Sequence, residues 1–241
     1  MRGRENLGTY GESKIGLVRK VNEDSFYISH EKNVLAVADG MGGYVGGEIA
    51  SKTAVEAIAY YFKNFSYAAS VQLEKAIQYA NSSIRSKTLI DPSLKGMGTT
   101  VSLVTLARHM AFWGHVGDSR IYLYRDGEFT QISADHTIVQ VLLDKGKITE
   151  EEAIDHPQRH VLTRAVGVDE NLVVDSGAFE VQPKDRILIC SDGLTSFIRK
   201  QELCDAIGDY RRTEREIIND LFARVYENGA NDNVTAILTT I

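Results

Sequence analysis

An α+β sandwich, with antiparallel sheets covered on their outer faces by helix pairs, is the fold class the sequence predicts. Three observations predict it. Strand-like runs and helical patterns do not alternate as parallel β-α-β units would. Short turns join several successive strands, as antiparallel pairing allows. No Ser/Gly/Pro-rich linker, repeat or low-complexity tract divides the 241 residues, so one domain over 1–241 is expected. With 43% hydrophobic and 25% charged residues, the chain has the usual globular mix and enough length for a sizeable core.

Residues 25–28 and 34–38 read as the opening strands. Ala50, Ala54, Ala57, Ile58, Tyr61 and Phe62 then share one helical face, with Tyr60 also assigned to helix packing. Leu73, Ala76, Ile77, Ala80 and Ile84 define a second helix, which Pro92 closes after Asp91. A strand meander follows over 99–106, 110–116 and 121–124, and Asp126-Gly127 supplies a hairpin turn. The charged stretch 135–159 reads as short helices, one opened by the capping box Thr149-x-x-Glu152. Strands resume at 172–181 and 186–190. The last helix opens at a second capping box, Thr213-x-x-Glu216, and buries Ile217, Ile218, Leu221, Phe222 and Val225. It ends near Gly229, and 234–238 is the final strand.

Charge and cysteine usage narrow the function classes. Lys plus Arg total 27 against 33 for Asp plus Glu, a net charge of −6, which excludes the basic excess of a nucleic-acid binder. No apolar run approaches the ~18 residues of a membrane span. The opening Met1-Arg2-Gly3-Arg4-Glu5-Asn6 has no apolar core and is no secretory signal. Cys190 and Cys204 are too few for a disulfide framework and read as core fillers. A soluble, reduced, cytoplasmic monomer is expected, with no membrane anchor, docking tail or sensor domain.

The chemistry-bearing residues are carboxylates at strand ends beside glycines. Asp39 ends the run 34–38 and precedes Gly40-Met41-Gly42-Gly43; Asp192 follows 187–191 and precedes Gly193. Asp118 follows Gly117, Asp232 lies just before the last strand, and Glu23 and Asp24 open the strand at 25–28. Aspartate is depleted in strands and costly to bury unpaired. A turn explains any one Asp-Gly alone, as at Asp126-Gly127. Several together need positive charge, and no matching set of lysines is present. Mg²⁺ or Mn²⁺ is the economical counter-charge, because hard cations take oxygen ligands. Two such ions ~3.5–4 Å apart can clamp a phosphoryl group and activate water. Arg19, just before Asn22-Glu23-Asp24, offers a planar guanidinium for phosphate.

The ordered set of these segments resembles the metal-dependent Ser/Thr protein phosphatases of type 2C, in their short bacterial form. The matching segments are Arg19-Lys20-Val21-Asn22-Glu23-Asp24, Val37-Ala38-Asp39-Gly40-Met41-Gly42-Gly43 and Gly98-Thr99-Thr100. Gly117-Asp118-Ser119-Arg120, Ser191-Asp192-Gly193-Leu194 and Asn231-Asp232-Asn233-Val234-Thr235 complete them. The resemblance implies an α-β-β-α sandwich of two antiparallel sheets with a cleft between their edges. It implies hydrolysis of phosphoserine and phosphothreonine in proteins, by water activated at a binuclear Mg²⁺ or Mn²⁺ centre. By carry-over, Asp39 bridges the two ions, the Gly40 carbonyl joins one of them, and Asp192 and Asp232 hold the other. Glu23 and Asp24 act through bound waters, and Asp118 with Asp192 takes a third ion. Arg19 binds the substrate phosphate, residues from about 135 to 160 form a flap, and a cognate bacterial Ser/Thr kinase is the opposing partner. Some members carry a histidine as general acid two residues after the bridging aspartate. Met41 stands there in this chain, as in bacterial relatives, and no general acid is assigned.

Other phosphatase chemistries lack their residues. A cysteine nucleophile needs an arginine six positions on, where Ser196 and Tyr210 stand instead. An aspartyl-phosphate enzyme needs Asp-x-Asp, and Ala38 is the middle of no such pair. Gly40–Gly47 lacks the Lys-Ser/Thr of a P-loop, and Ser191 lacks a Gly-x-Ser-x-Gly frame. None of His30, His109, His115, His136, His156 and His160 forms a zinc-ligand spacing. His115 is expected to pack within its strand, and His136 and His160 to line the flap or cleft. Two competing functions remain: an idle phosphatase-like binding module, whose mark is missing metal carboxylates, and a hydrolase of small phosphate esters at the same site.

Overall fold

A computed structural model of the protein describes residues 8–65 and 69–241. The N-terminal segment 1–6, read above as no secretory signal, lies outside the described residues. In chain order the strands are β1 (Gly8–Lys14), β2 (Asp24–Ser29), β3 (Val34–Met41), β4 (Gly98–Thr99), β5 (Val101–Ala107), β6 (Met110–Val116), β7 (Arg120–Arg125), β8 (Glu128–Gln131), β9 (Asp175–Glu180), β10 (Arg186–Cys190) and β11 (Val234–Thr240). One antiparallel sheet has the order β1-β11-β10-β7-β8; the other runs β2-β3-β5-β6-β9, with β4 beside β3. The helices are α1 (Gly43–Asn64), α2 (Ala69–Ile90), α3 (Ile138–Asp144), α4 (Glu150–Ile154), α5 (Asp192–Thr195), α6 (Lys200–Ile207) and α7 (Glu214–Glu227).

The strands have apolar residues on both faces because both faces are covered. In β3, Leu35 and Val37 point between the sheets, while Val34, Ala36 and Ala38 pack under α1 and α2. In β10, Ile187 and Ile189 point between the sheets, while Leu188 and Cys190 pack against α6 and α7. Ala54 and Ala57 of α1 and Ala76 and Ala80 of α2 are small, which lets the two helices lie close on the sheet. This is the expected α-β-β-α sandwich. Asp126 and Gly127 adopt φ of 50° and 89°, the left-handed pair that a two-residue hairpin requires, and join β7 to β8. Both capping boxes form: Thr149 and Thr213 accept from the backbone of Glu152 and Glu216, whose carboxylates return the bond.

Several local expectations are corrected. β1 was not expected, since Gly8–Lys14 has no apolar alternation; it is an edge strand, paired to β11 alone. The run 99–106 is broken at Thr100, which bonds Asp39 instead of continuing the ladder. The strand expected at 172–181 is shorter, Asp175–Glu180, and the short helices α5 and α6 carry too few periodic residues to stand out. Tyr60 is half exposed and stacks on Tyr79 at 5.9 Å, whereas Tyr61 and Phe62 enter the core. Cys190 is buried as expected, but Cys204 sits only at the margin of the cluster around α6 and α7.

His115 packs inside β6, as its strand position predicts. Its Nδ1 lies 3.0 Å from the Ser102 hydroxyl, and its Nε2 lies 3.0 Å from the Gly117 carbonyl. Burial, and then the neighbouring His136, push its pKa down to about 3. The folded ring therefore stays neutral while the unfolded ring protonates below ~6.5. The unfolded state then binds the extra proton, so stability falls as pH drops from ~6.5 towards 3, by up to ~1.4 kcal/mol per pH unit. Urea unfolding between pH 7 and 4.5 is expected to show this slope, reduced in His115→Asn. An unchanged slope in the variant assigns the acid sensitivity elsewhere.

Candidate metal centre

Antiparallel pairing brings the carboxylates to one end of the sandwich. β2 begins where β3 ends, which puts Asp24 opposite Asp39. β10 ends where β7 and β11 begin, since Cys190 pairs with Arg120 and Ala236. Asp192, Asp118 and Asp232 adjoin these ends, so residues distant in sequence face one cleft.

Buried hydroxyls and an amide hold the backbone there. Thr100 accepts from the Asp39 N–H through its hydroxyl (2.9 Å) and donates its own N–H to the Asp39 carbonyl (2.8 Å). The Ser119 hydroxyl lies 2.6 Å from that of Thr100, linking the Asp39 turn to the Asp118 turn. Ser191 donates to the Asp24 carboxylate at 2.7 Å. Asn233 accepts from the Glu23 N–H at 2.8 Å and donates to the carbonyls of Ile15 and Val21. Gly40 must be glycine, because a Cβ there would collide with the Gly47 and Glu23 carbonyls.

Too much negative charge is gathered for the cluster to ionise fully by itself. Burial foremost, then Asp24, Asp192, Asp118 and Asp232, holds the Asp39 carboxyl well above the usual range. Burial raises Asp24 to about 7, against the hydrogen bonds of Thr235 and Ser191. Asp118 is raised to about 8 by burial and then by Asp192, and Glu23 is raised by burial. Oxygen donors in this surplus of charge fit hard divalent cations.

Among the described residues, the ligand atoms of Asp118, His160 and Asp192 lie within 4.8 Å of one another. Asp232 is engaged by Arg19, whose Nη2 is 2.7 Å from its carboxylate, with Glu23 at 3.9 Å from Nη1. That hydrogen bond raises the Arg19 pKa. Arg19 is thus at the cleft, as expected, but paired with a predicted metal ligand. His160 reaches Asp192 at 3.2 Å, as a cleft-lining residue, while His136 is buried with its Nε2 3.1 Å from Asp175. Thr100, Ser119 and Asn233 were not singled out as site residues. Their signal was their place inside the Gly98-Thr99-Thr100, Gly117-Asp118-Ser119 and Asn231-Asp232-Asn233 segments.

The structure is thus a two-sheet antiparallel sandwich with an oxygen-rich acidic cleft at one end. The chain belongs to the protein phosphatase 2C family, whose profile matches residues 18–239. It is 38% identical over 230 residues to the serine/threonine protein phosphatase PstP of Mycobacterium tuberculosis, covering 94% of this chain and 43% of PstP. The chain thus spans less than half the length of that relative. Identity to the serine/threonine phosphatase Stp of Listeria monocytogenes is 33% over 231 residues, covering 92% of this chain and 91% of Stp. The crystal structure of the PstP catalytic domain in complex with two manganese ions superposes with a TM-score of 0.87 at 36% identity, covering 97% of both chains.

Proposed function

We propose that this chain removes phosphate from phosphoserine and phosphothreonine in proteins, opposing a Ser/Thr kinase, with two Mg²⁺ or Mn²⁺ ions and a third outer ion at the cleft. The observation that carries this reading is the gathering of carboxylates at one end of the sandwich: Asp24 pairs with Asp39 across β2 and β3, and the ligand atoms of Asp118 and Asp192 lie within 4.8 Å of one another, a crowding that holds the Asp39 carboxyl well above its usual range. Asp39, the Gly40 carbonyl, Asp192 and Asp232 hold the inner pair, Asp118 with Asp192 the outer ion, and Glu23 and Asp24 act through water. When bound, such ions neutralise phosphoryl charge and lower the pKa of an attacking water. The PstP catalytic domain, crystallised in complex with two manganese ions, supports a divalent-cation reading of the cleft.

The chain's own residues do the rest. Asn233, Thr100 and Ser191 fix the backbone that aims the carboxylates, through the bonds described above. Arg19 presents two parallel donors to the phosphate oxygens once its fork leaves Asp232. Met41 offers no proton, so no side chain is assigned as general acid. The five proposed ligand positions, and the two carboxylates that act through water, are all occupied by competent residues, which disfavours an idle binding module.

We read residues 1–241 as a single catalytic domain with a flap at 135–160, and the protein as a cytoplasmic monomer. Among the described residues no helix is long and apolar enough to cross a membrane. The test is phosphate release from a phosphothreonine peptide with Mn²⁺, beside free phosphate esters. Peptide turnover is expected; turnover of small esters alone overturns the protein substrate.

Arg19→Ala is expected to raise KM about 10- to 100-fold with a smaller change in kcat, the loss of a charged hydrogen bond made in ground and transition states alike. Arg19→Lys should recover only part, since a point charge replaces a fork. Steady-state kinetics on the peptide checks this, and unchanged KM and kcat return Arg19 to an ordinary surface residue.

A further inference from the structure

We propose that Leu17 and Val18 form an apolar shelf beside Arg19 that selects the substrate, by taking an aliphatic side chain within two residues of the phosphothreonine in the target protein. The inference rests on the proposed phosphoprotein activity and deepens it, by naming the class of target sequence that the cleft favours.

Exposure singles the shelf out. Among the described residues sixteen large hydrophobic side chains are exposed, and four of them, Ile15, Leu17, Val18 and Val21, fall within residues 15–21. Leu17 is 63% and Val18 65% exposed. Scattered apolar residues are ordinary on any surface, whereas a contiguous group marks a place where something binds.

The loop that carries them is fixed. The Asn233 side-chain amide donates to the carbonyls of both Ile15 (2.8 Å) and Val21 (3.1 Å), which closes the loop at its base. The Leu17 N–H donates to the Ala230 carbonyl at 2.8 Å, and the Gly16 N–H to the Tyr226 hydroxyl at 3.1 Å. Gly16 has a φ of 79°, and a Cβ there would collide with the Asp232 and Ala230 carbonyls. The loop therefore lies directly on the segment before the last strand. An anchored loop presents Leu17 and Val18 in a set place, with little ordering cost when a partner arrives.

Position names the occupant. Arg19 follows Val18 directly, and its guanidinium lies at the cleft, 2.7 Å from the Asp232 carboxylate. Consecutive Cα atoms are ~3.8 Å apart, and an extended chain rises ~3.3 Å per residue. A phosphothreonine held by Arg19 thus lays its nearest neighbours over the same ~4–7 Å that separates Arg19 from Val18 and Leu17. An aliphatic neighbour gains from leaving water there, while an acidic one would lose hydration without a partner. A small phosphate ester has no neighbours and does not reach the shelf. Such contacts are made in ground and transition states alike, so they act on KM and leave kcat unchanged.

The test is steady-state kinetics of the full chain with Mn²⁺ on phosphothreonine peptides, with one leucine moved between positions −2 and +2 in a serine background. At one position leucine is expected to lower KM about 5- to 10-fold relative to serine, the scale of partial burial of an aliphatic group. Leu17→Ser and Val18→Ser, both at exposed positions, should each cancel most of that gain without changing kcat. Both should leave the all-serine peptide and an aryl phosphate at wild-type values. Leucine without effect at every position overturns the shelf, as does a gain that survives the double substitution. Equal losses on the aryl phosphate place the two residues in support of Arg19 and overturn it too. Self-association that the double substitution abolishes gives the surface to a second copy of this chain, which also overturns the proposal. Turnover of the aryl phosphate with no peptide turnover is a different result, and overturns the phosphoprotein reading itself.

Discussion

Asp39→Ala is expected to lower kcat on a phosphothreonine peptide by at least about 10³-fold, with no recovery at high substrate. A loss of that size corresponds to ~4 kcal/mol of transition-state stabilisation, the scale on which a metal centre contributes charge stabilisation. Fold damage would give the same activity loss, so stability separates the two. The Asp39 carboxyl is held well above its usual range by burial and by Asp24, Asp192, Asp118 and Asp232. A raised folded-state pKa means that the folded chain binds more protons than the unfolded one between the two pKa values. Stability contributed at low pH is thus lost as pH rises, and ionised Asp39 destabilises the metal-free fold at neutral pH. Asp39→Asn is therefore expected to melt higher than the wild type in chelator, while being inactive. An inactive variant that also melts lower points to fold damage and sinks the assignment. This is the trade between function and stability that a site crowded with like charges carries.

Excess chelator is expected to reduce phosphatase activity below about 1%, and Mn²⁺ or Mg²⁺ to restore it, because in the proposed reaction the cations would lower the pKa of the attacking water. The same titration should be visible without substrate. A ligand present at ~100 times its dissociation constant adds ~2.7 kcal/mol to folding stability. For a chain of this length that raises the melting temperature by roughly 5–10 °C. Scanning calorimetry in chelator and in Mn²⁺ checks it. Full activity in chelator with an unchanged melting temperature would remove the metal assignment altogether.

Sequence and structure divide the account of this cleft by range. The runs in β3 and β10, the Asp126-Gly127 hairpin and the capping boxes at Thr149 and Thr213 were legible from the sequence. Each is decided within a few residues, by period, φ sign or a reciprocal side-chain bond. The carboxylates were legible for a related reason: aspartates at the ends of apolar runs are costly unless something binds them. β1 was not legible, because an edge strand paired on one side needs little apolar alternation, and its partner β11 lies over two hundred residues away. The break at Thr100 was invisible too, since a threonine suits a strand until Asp39 is placed beside it.

By itself, then, the sequence determined the family and which carboxylates stand at the ends of apolar runs, since side-chain chemistry and local backbone preference travel with the chain. Tertiary structure alone decided how they meet. Antiparallel register put Asp24 opposite Asp39 and brought the ends of β10, β7 and β11 together. It paired Arg19 with Asp232 across more than two hundred residues, and set His160 of the flap against Asp192. These contacts depend on closing long loops around a common core, a property of the whole packed chain that no local pattern encodes.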